Sequence, residues 1–113
     1  TRLLLDYNLK KLNIDPSEIK GYDREEFTHL QVAAAVENND ADCGIGIYSA
    51  AKMMGLDFIP VANEEYDIAI PSKFLEKPII NEFINLIKSD EFKEKLDELG
   101  GYDYREIGEI IRP

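Results

Sequence analysis

The segment from Thr28 to Pro60, THLQVAAAVENNDADCGIGIYSAAKMMGLDFIP, constrains this chain more than any other stretch. Its periodicity predicts helix, strand, helix, strand. Thr28 is a good N-cap for the first helix, and Leu30, Ala33, Ala34 and Ala35 give that helix a small-residue surface for close packing. Asn38 and Asn39 suit its end, because Asn tolerates the left-handed backbone conformation. In the strand expected over Asp42 to Tyr48, period-two alternation places Cys43, Ile45 and Ile47 on one face and Gly44, Gly46 and Tyr48 on the other. Two glycines leave that second face open to another backbone or to a ligand, and Tyr48 hangs a hydroxyl at its end. Ser49 then opens a helix whose free N–H groups and dipole point into the same space, an anion-binding geometry.

With 113 residues the chain is one domain or a piece of one, and 44% hydrophobic content is that of a folding sequence. No apolar run reaches membrane-span length and no signal-peptide pattern opens the chain. A net charge of −10 argues against nucleic acid and anionic membrane surfaces as partners. It does not exclude an anionic ligand, since helix N-termini and hydroxyls act at contact distance while surface carboxylates are screened. The single cysteine, Cys43, excludes an internal disulfide, fits a reducing cytoplasm, and within a strand reads as a small buried hydrophobe. Thr1 and Arg2 lead directly into LLLDYNLKKLNI, a start at a helix N-cap that reads as a fragment.

Helix one is expected from Arg2 to Leu12, with Leu3, Leu4, Tyr7 and Leu12 as its buried stripe and Lys10 and Lys11 complementing the dipole. A turn at Asp15-Pro16 and a short strand over Ile19 to Tyr22 follow. Asp57 to Ala62 and Tyr66 to Ile70 read as strands, the second alternating Tyr66, Ile68 and Ile70 against Asp67 and Ala69. Three intervening residues are too few for a parallel crossover, so these strands form a hairpin or the chain leaves the sheet for another lobe. Pro78 opens a helix with core face Ile79, Phe83, Leu86 and Ile87. Ser89 and Asp90 cap a last helix carrying Phe92, Leu96 and Leu99, and Gly100-Gly101 stops it. Alternating strands and helices followed by helices predict an α/β domain with a mostly parallel sheet flanked by helices.

Several chemistries fail on spacing. Asn38, Asp40 and Asp42 loosely match a calcium loop, but Cys43 holds the glycine position and Ser49 the bidentate glutamate position. Gly44 and Gly46 lack the third glycine of a dinucleotide fingerprint. His29, the only histidine, has no Cys or acidic residue at metal-ligand spacing. No nucleophile–base pair is legible, and the carboxylates are scattered as solvated faces. Tyr48 is read evenly as an edge-of-core tyrosine or as a ligand contact.

The run THLQVAAAVENNDADCGIGIYSAAKMMGLDFIPVANEEYDIAIP, followed by SDEFKEKLDELGGYD, resembles the periplasmic-binding-protein-like (type 2) domain of molybdate-related proteins. That domain occurs at the C-terminus of MoeA-like molybdopterin biosynthesis proteins and behind helix-turn-helix DNA-binding domains. The resemblance extends from Thr1 to about Asp103. It implies one lobe, with hinge-crossing helices, of a two-lobed clamp for a small oxyanion such as molybdate or tungstate, with residues 1–62 as the α/β lobe, 63–73 as a crossover and 74–113 as helices and tail. Carried over, the ligand-binding candidates are Thr1 and Arg2, Thr28, and Tyr48 with Ser49. No catalytic residue, resident metal or cofactor is implied for this domain, and any transferase activity belongs to other domains of the parent chain. The expected partners are a small oxyanion, those other domains and a second copy of the chain. The competing expectations are a regulatory or oligomerisation module with a vestigial cleft, and the ligand-sensing domain of a transcriptional regulator. An enzyme acting on molybdopterin ranks last.

Overall fold

Local hydrogen bonding accounts for nearly every regular element of this protein. The computed structural model describes residues 1–112, with five α-helices among them: α1 (Arg2–Lys11), α2 (His29–Glu37), α3 (Tyr48–Met53), α4 (Pro78–Lys88) and α5 (Asp90–Leu99). Short 3-10 turns occupy Pro16–Glu18 and Ser72–Phe74. The chain divides into two compact units, Thr1–Phe58 and Ile59 onward.

In the first unit the helix stops repeat one device. After α1, Asn13 takes φ 54°, its N–H reaches Lys10 O at 3.2 Å, and Ile14 N reaches Leu9 O at 2.9 Å. After α2, Asn39 (φ 62°) and Asp40 make the corresponding bonds to Val36 O and Ala35 O. After α3, Gly55 (φ 67°) and Leu56 make them to Lys52 O and Ala51 O. This is the Schellman pattern, which needs a residue tolerant of positive φ at one position. The start of α2 is a full capping box: the Thr28 hydroxyl accepts from Gln31 N, and the Gln31 side chain accepts from Thr28 N. The core of this unit is Leu9, Ala33, Ala35, Ala50 and Ala51, with Ser49 the one buried polar residue. Alanine supplies most of it because α2 and α3 pack directly on one another.

The second unit is an αα-hairpin followed by an irregular tail. Ser89 belongs to both helices. Its N–H and hydroxyl donate to Leu86 O at the end of α4, and the same hydroxyl accepts from Phe92 N at the start of α5. Pro78 stands in the first turn of α4, and Gly100 and Gly101 end α5 at φ 81°, as expected. Ile80, Ile84 and Ile87 are half-buried, whereas Ile79 and Leu86 are 66% and 56% exposed. No described residue of this unit is fully buried.

The structure overturns the expected α/β fold with a mostly parallel sheet. No strand forms among the described residues, and the protein is helical. Asp42 to Ile47 and Asp57 to Ile70 carry no helix or ladder, and no backbone–backbone bond is made by residues 57–70. The hairpin alternative therefore fails along with the sheet. Period-two alternation and β-branched residues encode a preference for a pleated, half-buried surface, but a strand exists only with a ladder partner. None is offered here, and residues 59–69 all stand exposed. Ile19 to Tyr22 is a turn instead of a short strand, with Tyr22 N on Ile19 O and Gly21 at φ 83°. The expected stripe of α1 is also corrected. Leu3, Tyr7 and Leu12 are exposed, and the helix buries Leu9.

Candidate functional site

The sequence candidates all lie in the first unit, at the starts of its three helices. At α1, Thr1 is exposed and its side chain caps nothing. Arg2 is drawn back toward the loop before α2. Its Nε donates to Glu25 Oε1 at 3.0 Å, and its guanidinium lies 4.4 Å from the centroid of the Tyr22 ring. Tyr22 OH in turn donates to Asp6 Oδ1. That bond first, and burial second, hold the Tyr22 phenol above its ordinary pKa, while Arg2 pulls the other way. One guanidinium nitrogen of Arg2, Nη1, is sealed from solvent with no hydrogen-bond partner among the described residues. A buried guanidinium N–H without an acceptor is costly, and the group that satisfies it best is an anionic oxygen.

The starts of α2 and α3 are brought together by Gly46. A Cβ placed there would lie 3.6 Å from His29 Nδ1 and 3.9 Å from His29 O, so the backbone just before α3 rests on the first residue of α2. Gly44 approaches closer still: a Cβ there would stand 2.5 Å from Val32 Cγ1. The two glycines serve close packing against α2, one of the two uses their spacing allows. Cys43, expected to be buried, is exposed. Tyr48 is 42% exposed and meets Phe58 edge to face, with ring centroids 5.4 Å apart at 79°. Ser49 is buried beside it. Ile47, at the N-cap of α3, makes no side-chain cap bond.

The structure thus joins His29, the residue after Thr28, to the residues leading into Tyr48 and Ser49. It ties Arg2 to Glu25 and Tyr22. Sequence reasoning missed Tyr22, Asp6, Glu25 and Phe58. An i, i+4 spacing of Arg2 and Asp6 was readable, but nothing in the sequence reveals that Tyr22 inserts between them. No group of three or more His, Cys, Asp or Glu residues that could hold a metal occurs among the described residues, and no described helix is long and apolar enough to cross a membrane. What the arrangement offers chemically is a set of donors: helix amides, hydroxyls and one guanidinium.

The family profile of the PBP superfamily domain matches residues 1–88, and the chain belongs to that periplasmic-binding-protein-like family. It is 40% identical over 110 residues to a Clostridium pasteurianum protein described as an uncharacterized protein in the 5' region of a ferredoxin 2Fe-2S gene, covering 96% of this chain and 97% of that one. It is 34% identical over 110 residues to the uncharacterized protein YvgK of Bacillus subtilis (strain 168), covering 97% of this chain but 35% of that longer protein. No solved structure matches the chain significantly.

Proposed function

We propose that this chain contributes one face of a noncatalytic binding site for a small tetrahedral oxyanion of the molybdate or tungstate type. The observation that carries the reading is Arg2, a guanidinium at a helix start whose Nη1 has no protein acceptor and which meets an anion only once it turns from Glu25 and Tyr22 toward solvent. Support also comes from the close approach of the starts of α2 and α3 at His29 and Gly46, with the Thr28 hydroxyl at the first start and the Tyr48 hydroxyl at the second. Membership of the PBP superfamily agrees with a binding role.

The test is thermal denaturation with molybdate, tungstate, sulfate and phosphate in turn. Binding to the folded state raises stability by about 2.7 kcal/mol at a ligand concentration of about 100 times Kd. Arg2→Lys keeps the charge but loses the planar fork, and is expected to reduce the shift strongly. Absence of a shift with all four anions rejects the reading, and a shift unchanged in Arg2→Lys rejects the role of that residue.

A second reading, an assembly module, is favoured by a separate observation: Ile59, Val61, Tyr66 and Ile68 are 84%, 57%, 72% and 62% exposed.

A further inference from the structure

We propose that Glu25 is a built-in competitor for Arg2: its carboxylate holds the guanidinium in the unliganded chain, and an oxyanion binds by displacing it. This role rests on the oxyanion reading above and adds to it the residue that sets the affinity. Arg2 Nε donates to Glu25 Oε1 at 3.0 Å, a contact between residues 23 positions apart that joins the start of α1 to the loop before α2. A carboxylate that matches a guanidinium accepts two parallel N–H groups. Glu25 accepts from Nε alone, and Nη1 is left sealed from solvent with no acceptor among the described residues. The held position therefore leaves a donor unsatisfied, a cost removed by any turn that brings Nη1 to an oxygen. A tetrahedral oxyanion supplies what Glu25 does not: one oxygen for Nε and another for Nη1 at the same time.

The hold on Arg2 is weak enough to be broken by a ligand. The side chains of Arg2 and Glu25 are 31% and 70% exposed, so their attraction is screened by solvent. The other hold is the Tyr22 ring, whose centroid lies 4.4 Å from the guanidinium and whose hydroxyl is anchored on Asp6. A cation on an aromatic face at an open site is likewise a modest contact. The remaining acids of the region are placed differently. Glu26 is paired with Arg24 at 3.0 Å and Asp6 accepts from Tyr22, while Asp23 makes no ion pair among the described residues. Glu25 alone among them ion-pairs with Arg2. Its charge also repels an approaching anion, so one carboxylate both occupies the donor and guards it.

Calorimetric titration of wild type, Glu25→Gln and Asp23→Asn with molybdate and with sulfate tests this role. Both variants remove one negative charge from the same loop, but only the first breaks an ion pair. Glu25→Gln is expected to tighten anion binding by about two- to fivefold, the scale set by a pair this exposed. Asp23→Asn is expected to stay close to wild type. Without any anion, proton–nitrogen NMR is expected to show the Arg2 Nε–H exchanging with water faster in Glu25→Gln than in wild type, which reports the release of the guanidinium independently of a ligand. Circular dichroism establishes that each variant keeps its helices. Equal or weaker binding by Glu25→Gln, equal gains in both variants, or unchanged exchange of the Arg2 Nε–H would each overturn the competitor role and leave the binding reading standing. Binding by Glu25→Gln alone supports both. No binding by either wild type or Glu25→Gln rejects the binding reading, and the competitor role with it.

Discussion

Gly44→Ala tests whether the glycines before α3 serve packing or a ligand. An added Cβ would sit 2.5 Å from Val32 Cγ1, roughly 1 Å inside ordinary carbon–carbon contact. Val32 lies inside α2, where a β-branched side chain has one strongly preferred χ1, so it cannot rotate away cheaply. Overpacking of this kind costs about 1–3 kcal/mol. Gly44 has no left-handed φ, so alanine adds no backbone strain and recovers about 0.4–1 kcal/mol by restricting the unfolded chain. The net expectation is a loss of about 1–2 kcal/mol, read as a lower urea midpoint by far-UV circular dichroism with an unchanged slope. Gly46→Ala is the internal control. Its Cβ would meet His29 at 3.6 Å, an ordinary contact, so only the unfolded-chain gain remains and stability is expected to rise by about 0.4–1 kcal/mol. The double variant Gly44→Ala with Val32→Ala is expected to be more stable than the sum of the single effects by at least about 0.5 kcal/mol. If Gly44→Ala behaves like Gly46→Ala, or if the cycle with Val32 is additive, the packing account is wrong and the glycine face is free for something else.

Other outcomes follow from the same geometry. Tyr22 has a folded pKa above its ordinary 10.0, chiefly through its hydrogen bond to Asp6. Its contribution to stability is therefore fully present below about pH 10 and lost as pH rises through the raised value. Absorbance titration of tyrosinate should show a late-ionising component that Asp6→Asn moves down; the prediction fails if the curve is unchanged. Thr28→Ala removes one half of the capping box and is expected to cost about 1 kcal/mol in a denaturant titration, with Thr28→Ser close to wild type. Limited proteolysis is expected to cut first between Phe58 and Ile70, where the backbone makes no internal hydrogen bonds and the side chains are exposed. First cleavage inside α2 or α3 would contradict that ordering.

Most of what was legible in the sequence is local. The capping box at Thr28, the left-handed stop at Asn39, the proline opening α4, the Ser89 cap and the glycine stop after α5 each depend on residues within a turn of one another, and each is found. The sheet failed for the opposite reason. Alternation in Tyr66 to Ile70 records which face a strand would bury, but whether a strand forms depends on a partner that residue spacing cannot reveal. At the candidate site, Thr28 and the Ile47-to-Ser49 junction could be placed from helix boundaries alone. The Arg2, Tyr22, Asp6 and Glu25 cluster could not, since it joins positions up to 23 residues apart. The glycine pair was legible as a close approach, and the ambiguity between ligand and helix was resolved only by the nearness of Val32 and His29.

Ser89 closes one helix and opens the next with a single hydroxyl. The junction has no separate hinge residue on which motion at one helix end could be absorbed before reaching the other. Fraying of the last turn of α4 therefore releases the first turn of α5 in the same event. Hydrogen exchange at Phe92 N–H and at the closing amides of α4 should report one common opening rate, so that the two helices behave kinetically as one unit with a bend in it.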